Sequence, residues 1–201
     1  MTPKGERRRY ALVAAAAELL SEGGFDAVAH RSVARRAGLP LASTTYYFAS
    51  LDELLVSAVE HIDLDEAGRL RARVTGLPKR RRSTEATAEL LVDLLVGPVS
   101  GTGPNPHLIS RYERRIACAR LPRVRESMRR RWSQRAELVA EAFEKSGRAT
   151  PIELVRTLIS AVEGNVISAL VDGRNPRTAA LATGLALIDV LAPAAPVAVN
   201  A

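Results

Sequence analysis

A single cysteine, Cys118, occurs in 201 residues, so no disulfide can close within the chain and a reducing cytoplasm suits it. The three histidines, His30, His61 and His107, lie in separate segments, and neither they nor Cys118 have the spacing of a zinc site. No metal and no cofactor is expected. Aromatic residues make up 4% of the chain, too few to interleave with the basic runs at 79–82 and 129–131 as a stacking platform for RNA. Those runs read as solvated faces. There is no Gly-x-Ser-x-Gly elbow, and Gly101-Thr102-Gly103 lacks the Lys and Ser/Thr of a phosphate loop. The chain is therefore not expected to be an enzyme. Long apolar runs are missing too: Glu18 interrupts residues 10–20, and Asp189 interrupts 178–198, where Pro193 and Pro196 also fall. Neither a secretory signal nor a membrane span is expected. No segment sustains the strict alternation of a half-buried strand.

What the chain has in quantity is positive charge and apolar residues at helical spacing. Lys and Arg outnumber Asp and Glu by 29 to 22, a net charge of +7. The isoelectric point near 10.3 lies above the value of about 9 at which a phosphate-rich partner becomes a fair inference. Leu12, Val13, Ala16, Leu19 and Leu20 form one stripe, which ends at Gly23-Gly24. Two short helices follow, about 30–37 and 41–48, joined by a tight turn at Gly38. Ser50 and Glu53 stand at capping-box spacing and open a long helix toward Leu77-Pro78. Further helices are expected at about 84–96, 107–120 and 122–146, with a Gly/Pro-rich loop at 97–106 and with Val124, Met128, Trp132, Val139 and Phe143 on the third. Thr150, Pro151 and Glu153 mark the start of the next helix, and Asn175-Pro176 that of the last. The expected fold is all-α, with about nine helices.

Both final helices are apolar over more than one face. Such helices need two covers, and the expected second cover is another copy of the chain. The sequence thus predicts a homodimer closed by a four-helix bundle, with Leu158, Val162, Val166, Leu181, Leu185 and Ile188 at its interface.

Two short helices around a glycine turn, with a helix before and a capped helix after, have the geometry that lays a recognition helix in the major groove of double-stranded DNA. The residues there are Glu-Gly-Gly-Phe-Asp-Ala at 22–27, Val-Ala-Arg-Arg-Ala-Gly-Leu at 33–39 and Thr-Thr-Tyr-Tyr-Phe at 44–48, followed by Ser50 and Asp-Glu-Leu-Leu. Over residues 10–59 this sequence resembles the DNA-binding domain of the TetR family of transcriptional regulators. Beyond that only helix number, order and length are similar. The resemblance implies a helix-turn-helix domain over 1–50 and a helical effector-binding and dimerisation domain over 51–201. It implies a sequence-specific regulator, a repressor released from a palindromic operator by a small-molecule effector whose identity is unknown.

Hydroxyls and phenols at Ser43, Thr44, Thr45, Tyr46 and Tyr47 can donate to phosphates and touch base edges, and Arg31 and Arg36 can pair with phosphate. Phe48 corresponds to the aromatic that anchors this helix in the family. Departures from the family pattern occur at Leu41 and Leu51, where Lys is frequent, at Thr45, where Tyr is frequent, and at Ala29, where a capping Thr or Ser is frequent. They keep open a second reading, a dimeric ligand-binding or scaffold protein that has lost operator binding. A basic arm of Lys4, Arg7, Arg8 and Arg9 would offset the missing charge. The effector pocket implied by the family would be lined by Arg111, Tyr112, Ile116, Met128 and Trp132, with His107, Cys118 and Asn165 as further candidates; the alternative for Trp132, Met128 and Ile116, at helical spacing, is plain core packing. The alternative for Arg111 is a surface pair with Glu113 or Glu163.

Overall fold

Helix punctuation explains most of the chain's architecture. The computed structural model describes residues 2–98, 105–119 and 122–195, apart from the side chains of 122–124, 126 and 127. Most of the expected loop at 97–106, Gly101-Thr102-Gly103, the packing of Val124 and the Ala/Pro tail lie outside the described residues. Among the described residues there are nine α-helices and no strand: α1 Pro3–Gly23, α2 His30–Arg36, α3 Leu41–Tyr47, α4 Leu51–Thr75, α5 Thr84–Leu95, α6 Pro106–Cys118, α7 Pro122–Lys145, α8 Ile152–Val171 and α9 Pro176–Leu191. A single 3₁₀ turn, Phe25–Ala27, follows α1.

The chain forms two compact units, Met1–Glu66 with Pro106–Arg131, and Ala67–Asn105 with Trp132–Ala201. In the first, Leu12, Ala16 and Leu20 of α1 meet Val33 of α2, Phe48 after α3, and Leu54, Ala58 and Val59 of α4 in one apolar core. Cys118 of α6 closes that core, and Ser110 donates to the carbonyl of Leu20 at 2.7 Å. The start of α1 is earlier than the apolar stripe suggested. Thr2 accepts from Gly5 N and Pro3 occupies the first turn, so Lys4, Arg7, Arg8 and Arg9 are helical and not a loose arm.

In the second unit α9 packs against both α5 and α8. A β-carbon at Gly184 of α9 would lie 3.3 Å from that of Ala88, so glycine permits this close approach to α5. The α9 start follows the sequence: Asn175 Oδ1 accepts from Arg177 N at 2.9 Å and Thr178 N at 3.0 Å. The α8 start does not. Pro151 is extended, with ψ 141°, and is itself the cap position, which moves Thr150 off the helix and leaves no side-chain cap. Arg148, 3% exposed, joins the ends of three elements through Asp189, Thr84 Oγ1 and the carbonyl of Ala192. Lys145 donates to the carbonyls of Val74 and Thr75, supplying charge where α4 ends. By length and composition α8 could cross a membrane, with mean hydropathy 1.5, yet it carries Glu163, which is buried and paired with Arg135 of α7.

Candidate nucleic-acid interface

Gly38 turns the chain between α2 and α3 with φ +64°, a conformation that costs side-chain-bearing residues about 1–2 kcal/mol. Leu39 N then returns to the carbonyl of Ala34 at 3.0 Å and closes the turn. Ala29 has no oxygen with which to cap α2. Ser32 compensates by accepting from Ala29 N at 2.9 Å. From the far side, Ser50 Oγ accepts from Glu53 N at 3.1 Å, and Glu53 reaches back to Ala49 N at 2.7 Å. Both flanks of α3 are thus fixed by short-range hydrogen bonds, while the helix itself buries only Thr44 within its span.

That burial corrects one expectation. Thr44 is fully buried, and its hydroxyl donates to the carbonyl of Leu41 at 2.8 Å, so it supports α3 from behind and offers nothing to DNA. Arg31 and Thr45 are exposed and Ser43 is half-buried. Tyr46 is 80% exposed, whereas Tyr47 packs partly on the apolar core; their rings meet edge to face at 4.8 Å. Phe48 is 2% exposed and is the anchor that the sequence predicts.

Arg36, assigned to phosphate by sequence, and Arg9, assigned to a basic arm, serve the fold. Arg36 makes a two-pronged contact with Glu22 at 3.0 and 2.8 Å and reaches Glu18 at 3.2 Å, fastening α2 to α1. The same guanidinium holds the Glu22 carboxyl below its ordinary range. Arg9 lies over the Phe48 ring at 4.9 Å and within 3.5 Å of Ser57 Oγ, so α1, the end of α3 and α4 share one cation. The exposed cation that sequence reasoning passed over is Arg35, on the outer side of α2. Its position opposite the buried Val33 and Ala34 was the available signal.

The residues assigned to an effector pocket are scattered in environment. Tyr112 is 7% exposed, and both Arg111 and Arg115 lie over its ring, at 5.3 and 5.7 Å. Met128 packs on the first core. Ile116 is 63% exposed, which is at odds with lining an enclosed pocket, and His107 is exposed as well. Asn165 is occupied by the carbonyl of Ala179 and by Thr183 Oγ1, tying α8 to α9. Trp132 belongs to the second unit, with Arg135 5.8 Å from its ring. Glu163 pairs with Arg135. Burial pushes the Cys118 thiol up to about 11. A cleft of about 680 Å³ in the second unit is lined by Glu137, Glu141, Glu144, Arg148 and their neighbours, and contains none of the sequence candidates.

The dimer assignment needs a comparable correction. Leu158, Val162, Val166 and Ile188 are fully buried inside the protomer, so they cannot face a second chain. Leu185, at 41% exposure, can, and Leu181 is half-buried. The apolar side chains left uncovered on these helices are Leu154, Ile167 and Val171 of α8 with Leu185 and Val190 of α9.

A short outward-facing helix hung from a glycine turn, ahead of a larger helical region, defines a helix-turn-helix DNA-binding protein. Residues 12–58 match the family described as "Bacterial regulatory proteins, tetR family", and residues 82–190 match "Tetracyclin repressor-like, C-terminal domain". The chain belongs to the TetR family, and it is a ligand-responsive DNA-binding transcriptional regulator. Among solved structures it is similar to the multidrug binding protein EbrR complexed with malachite green, at 26% identity and TM-score 0.63 over 90% of this chain and 97% of that one. It is similar also to the TetR-family member SCO1917 from Streptomyces coelicolor A3, at 25% identity and TM-score 0.57 over 88% and 95% of the two chains. A transcriptional regulator from Rhodococcus sp. Rha1 shares the fold at 18% identity and TM-score 0.67, over 94% and 99%. No curated protein gives a significant match.

Proposed function

We propose that the chain is a cytoplasmic repressor that binds a palindromic operator as a two-fold dimer and leaves it when a small organic effector binds. The observation that carries this reading is the outer face of α2 and α3, where Arg31, Arg35, Ser43, Thr45 and Tyr46 stand clear of a core held by Val33, Thr44 and Phe48. Contacts to phosphate position such a helix, and groups at its surface read base edges. The charge missing at Leu41 and Leu51 is supplied by Arg31 and Arg35 beside the helix, and by Lys4, Arg7 and Arg8, all exposed on the first turns of α1. EbrR, which shares the fold, has been crystallised with proflavin, ethidium and malachite green, which supports an effector site in this scaffold. An effector empties the operator by binding the DNA-free form more tightly than the DNA-bound form, and only to the extent of that difference.

Selection of bound sequences from random duplex DNA tests the reading. The expected consensus has dyad symmetry, with half-sites about one helical turn apart or a small multiple of that, and affinity that falls steeply with added salt. A consensus without a dyad sinks the dimeric operator, and no enrichment at all favours the scaffold reading.

A further inference from the structure

The inward face of α6 is unusual in what it carries: Arg114 and Cys118 are buried, and Arg111 and Arg115 are half-buried. Arg111, Arg114, Arg115 and Cys118 fall at i, i+3, i+4 and i+7, the spacing of a single helix face, where a soluble helix ordinarily carries apolar residues. Arg114 is 3% exposed and answered by Glu66 at 2.7 Å. Asp63, another carboxylate of α4, lies 3.7 Å from Arg131 of α7 and is also within reach of the charges of Arg114 and Arg115. Glu113 points away, toward Gly24, where a β-carbon would approach its carboxylate at 3.3 Å. Arg111 stands apart in having two donors, Nε and Nη2, screened from water with no hydrogen-bond partner among the described residues, where Arg114, Arg131, Arg148 and Arg156 have Nε alone in that state. Buried guanidinium donors without an acceptor are rare and costly, because the group has lost its water and gained nothing in return. A second cation increases that cost. The Arg115 guanidinium lies over the same Tyr112 ring as that of Arg111, and like charges at i and i+4 repel.

We propose that Arg111 receives the acid group of an organic anion, with the Arg115 charge beside it and with the buried Tyr112 and Leu108 side chains as apolar walls for the body of the molecule. The proposal rests on the reading of the chain as ligand-responsive and adds the chemical class of the effector: a carboxylic acid or a phosphate ester with an apolar portion. A guanidinium suits either head group, since its forked donors match two oxygens at once. A cationic or neutral molecule of the same shape leaves the Arg111 donors unanswered and is rejected on that account.

The test is a thermal-melt series on the full chain with four matched compounds at millimolar concentration: hexanoate, hexyl phosphate, hexanamide and hexylammonium. One or both anions are expected to raise the Tm of the wild type, while hexanamide and hexylammonium leave it unchanged. Hexanoate alone points to a carboxylic acid, and hexyl phosphate alone to a phosphate ester. Arg111→Met is expected to melt higher than the wild type without any compound, by on the order of 4 °C, because it removes donors that nothing satisfies. It should also lose the response to the anions. Arg111→Gln, which keeps a hydrogen-bonding group, should lose that response too, and decides the matter if Arg111→Met does not fold. An equal response to hexanamide, a wild type indifferent to both anions, or an Arg111→Gln protein that responds like the wild type overturns the proposal. So does an Arg111→Met protein that folds but melts lower, since Arg111 would then be a structural residue. A gel shift with operator DNA and no added compound keeps the two readings apart. DNA bound without an anion response defeats this proposal alone, and an anion response without DNA binding defeats only the regulator.

Discussion

Three consecutive aromatic residues, Tyr46, Tyr47 and Phe48, experience three environments because each step along a helix turns the side chain by about a hundred degrees. Tyr46 faces solvent, Tyr47 leans on the core and Phe48 is inside it. Tyr46→Phe should therefore leave the melting temperature unchanged and weaken operator binding by about 1.5–3 kcal/mol, the worth of a hydrogen bond to a charged phosphate. Phe48→Ala should cost about 3–5 kcal/mol of stability, read from denaturant melts, because it empties a core aromatic site. Asp63 is a second residue with a measurable signature. Burial, opposed by Arg114 and Arg131 and reinforced by Glu66, pushes its carboxyl up to about 6 from an ordinary 3.8. Between those values the folded-state Asp63 holds more proton than the unfolded one, so its contribution to stability is greatest at low pH and is lost as pH rises through about 6. Asp63→Asn should flatten stability between pH 4 and 7, removing a fall of roughly 3 kcal/mol. An unchanged slope would assign the titration to another group.

At the level of elements, legibility followed the range of the interaction that decides each feature. The Gly38 turn, the Ser50 and Glu53 start of α4 and the Asn175 start of α9 depend on residues three or four positions apart, and they were readable. The α8 start was misread because Pro151 is extended, and whether a proline serves as cap or first helical residue depends on the chain leading into it. The Thr2-Pro3 signature opening α1 was readable and passed over, so Arg9 was placed in an arm when it holds Phe48 and Ser57. Which face of α8 and α9 looks inward was beyond sequence. Leu154, Ile167 and Val171 are as apolar as Leu158, Val162 and Val166, and it is packing within the same chain, α9 against α8 above all, that separates the two sets. The two cap sites give a paired prediction. Asn175→Ala should lower stability by about 1 kcal/mol through loss of two hydrogen bonds at the α9 start, whereas Thr150→Ala should be close to neutral.

For the whole molecule, the uncovered apolar residues of α8 and α9 are where the proposed dimer would close. A two-fold axis makes the same patch meet itself, so each outward side chain is used twice. Ile167→Glu combined with Leu185→Glu places four carboxylates in such an interface, two from each chain, and should yield monomers by light scattering with helix content retained by circular dichroism. A double variant that stays dimeric would move the interface elsewhere. Val162→Glu is a different experiment, since Val162 is fully buried and its replacement disrupts the protomer core.

The pairing of Glu163 with Arg135 also has a consequence in time. Arg135 is made before Glu163, so the most apolar helix of the chain leaves the ribosome with its buried acid already answered. Its cover within the chain, α9, is complete 20 residues after α8 ends, at Leu191 against Val171. At about 5–20 residues per second that is an exposure of roughly 1–4 seconds. The outer face has no such schedule. In the proposed dimer Leu154, Ile167 and Val171 wait for a second finished chain, for a time set by how many copies the cell holds. A dimeric regulator of low abundance would therefore expose this surface longest, and its yield would follow the search for its own twin.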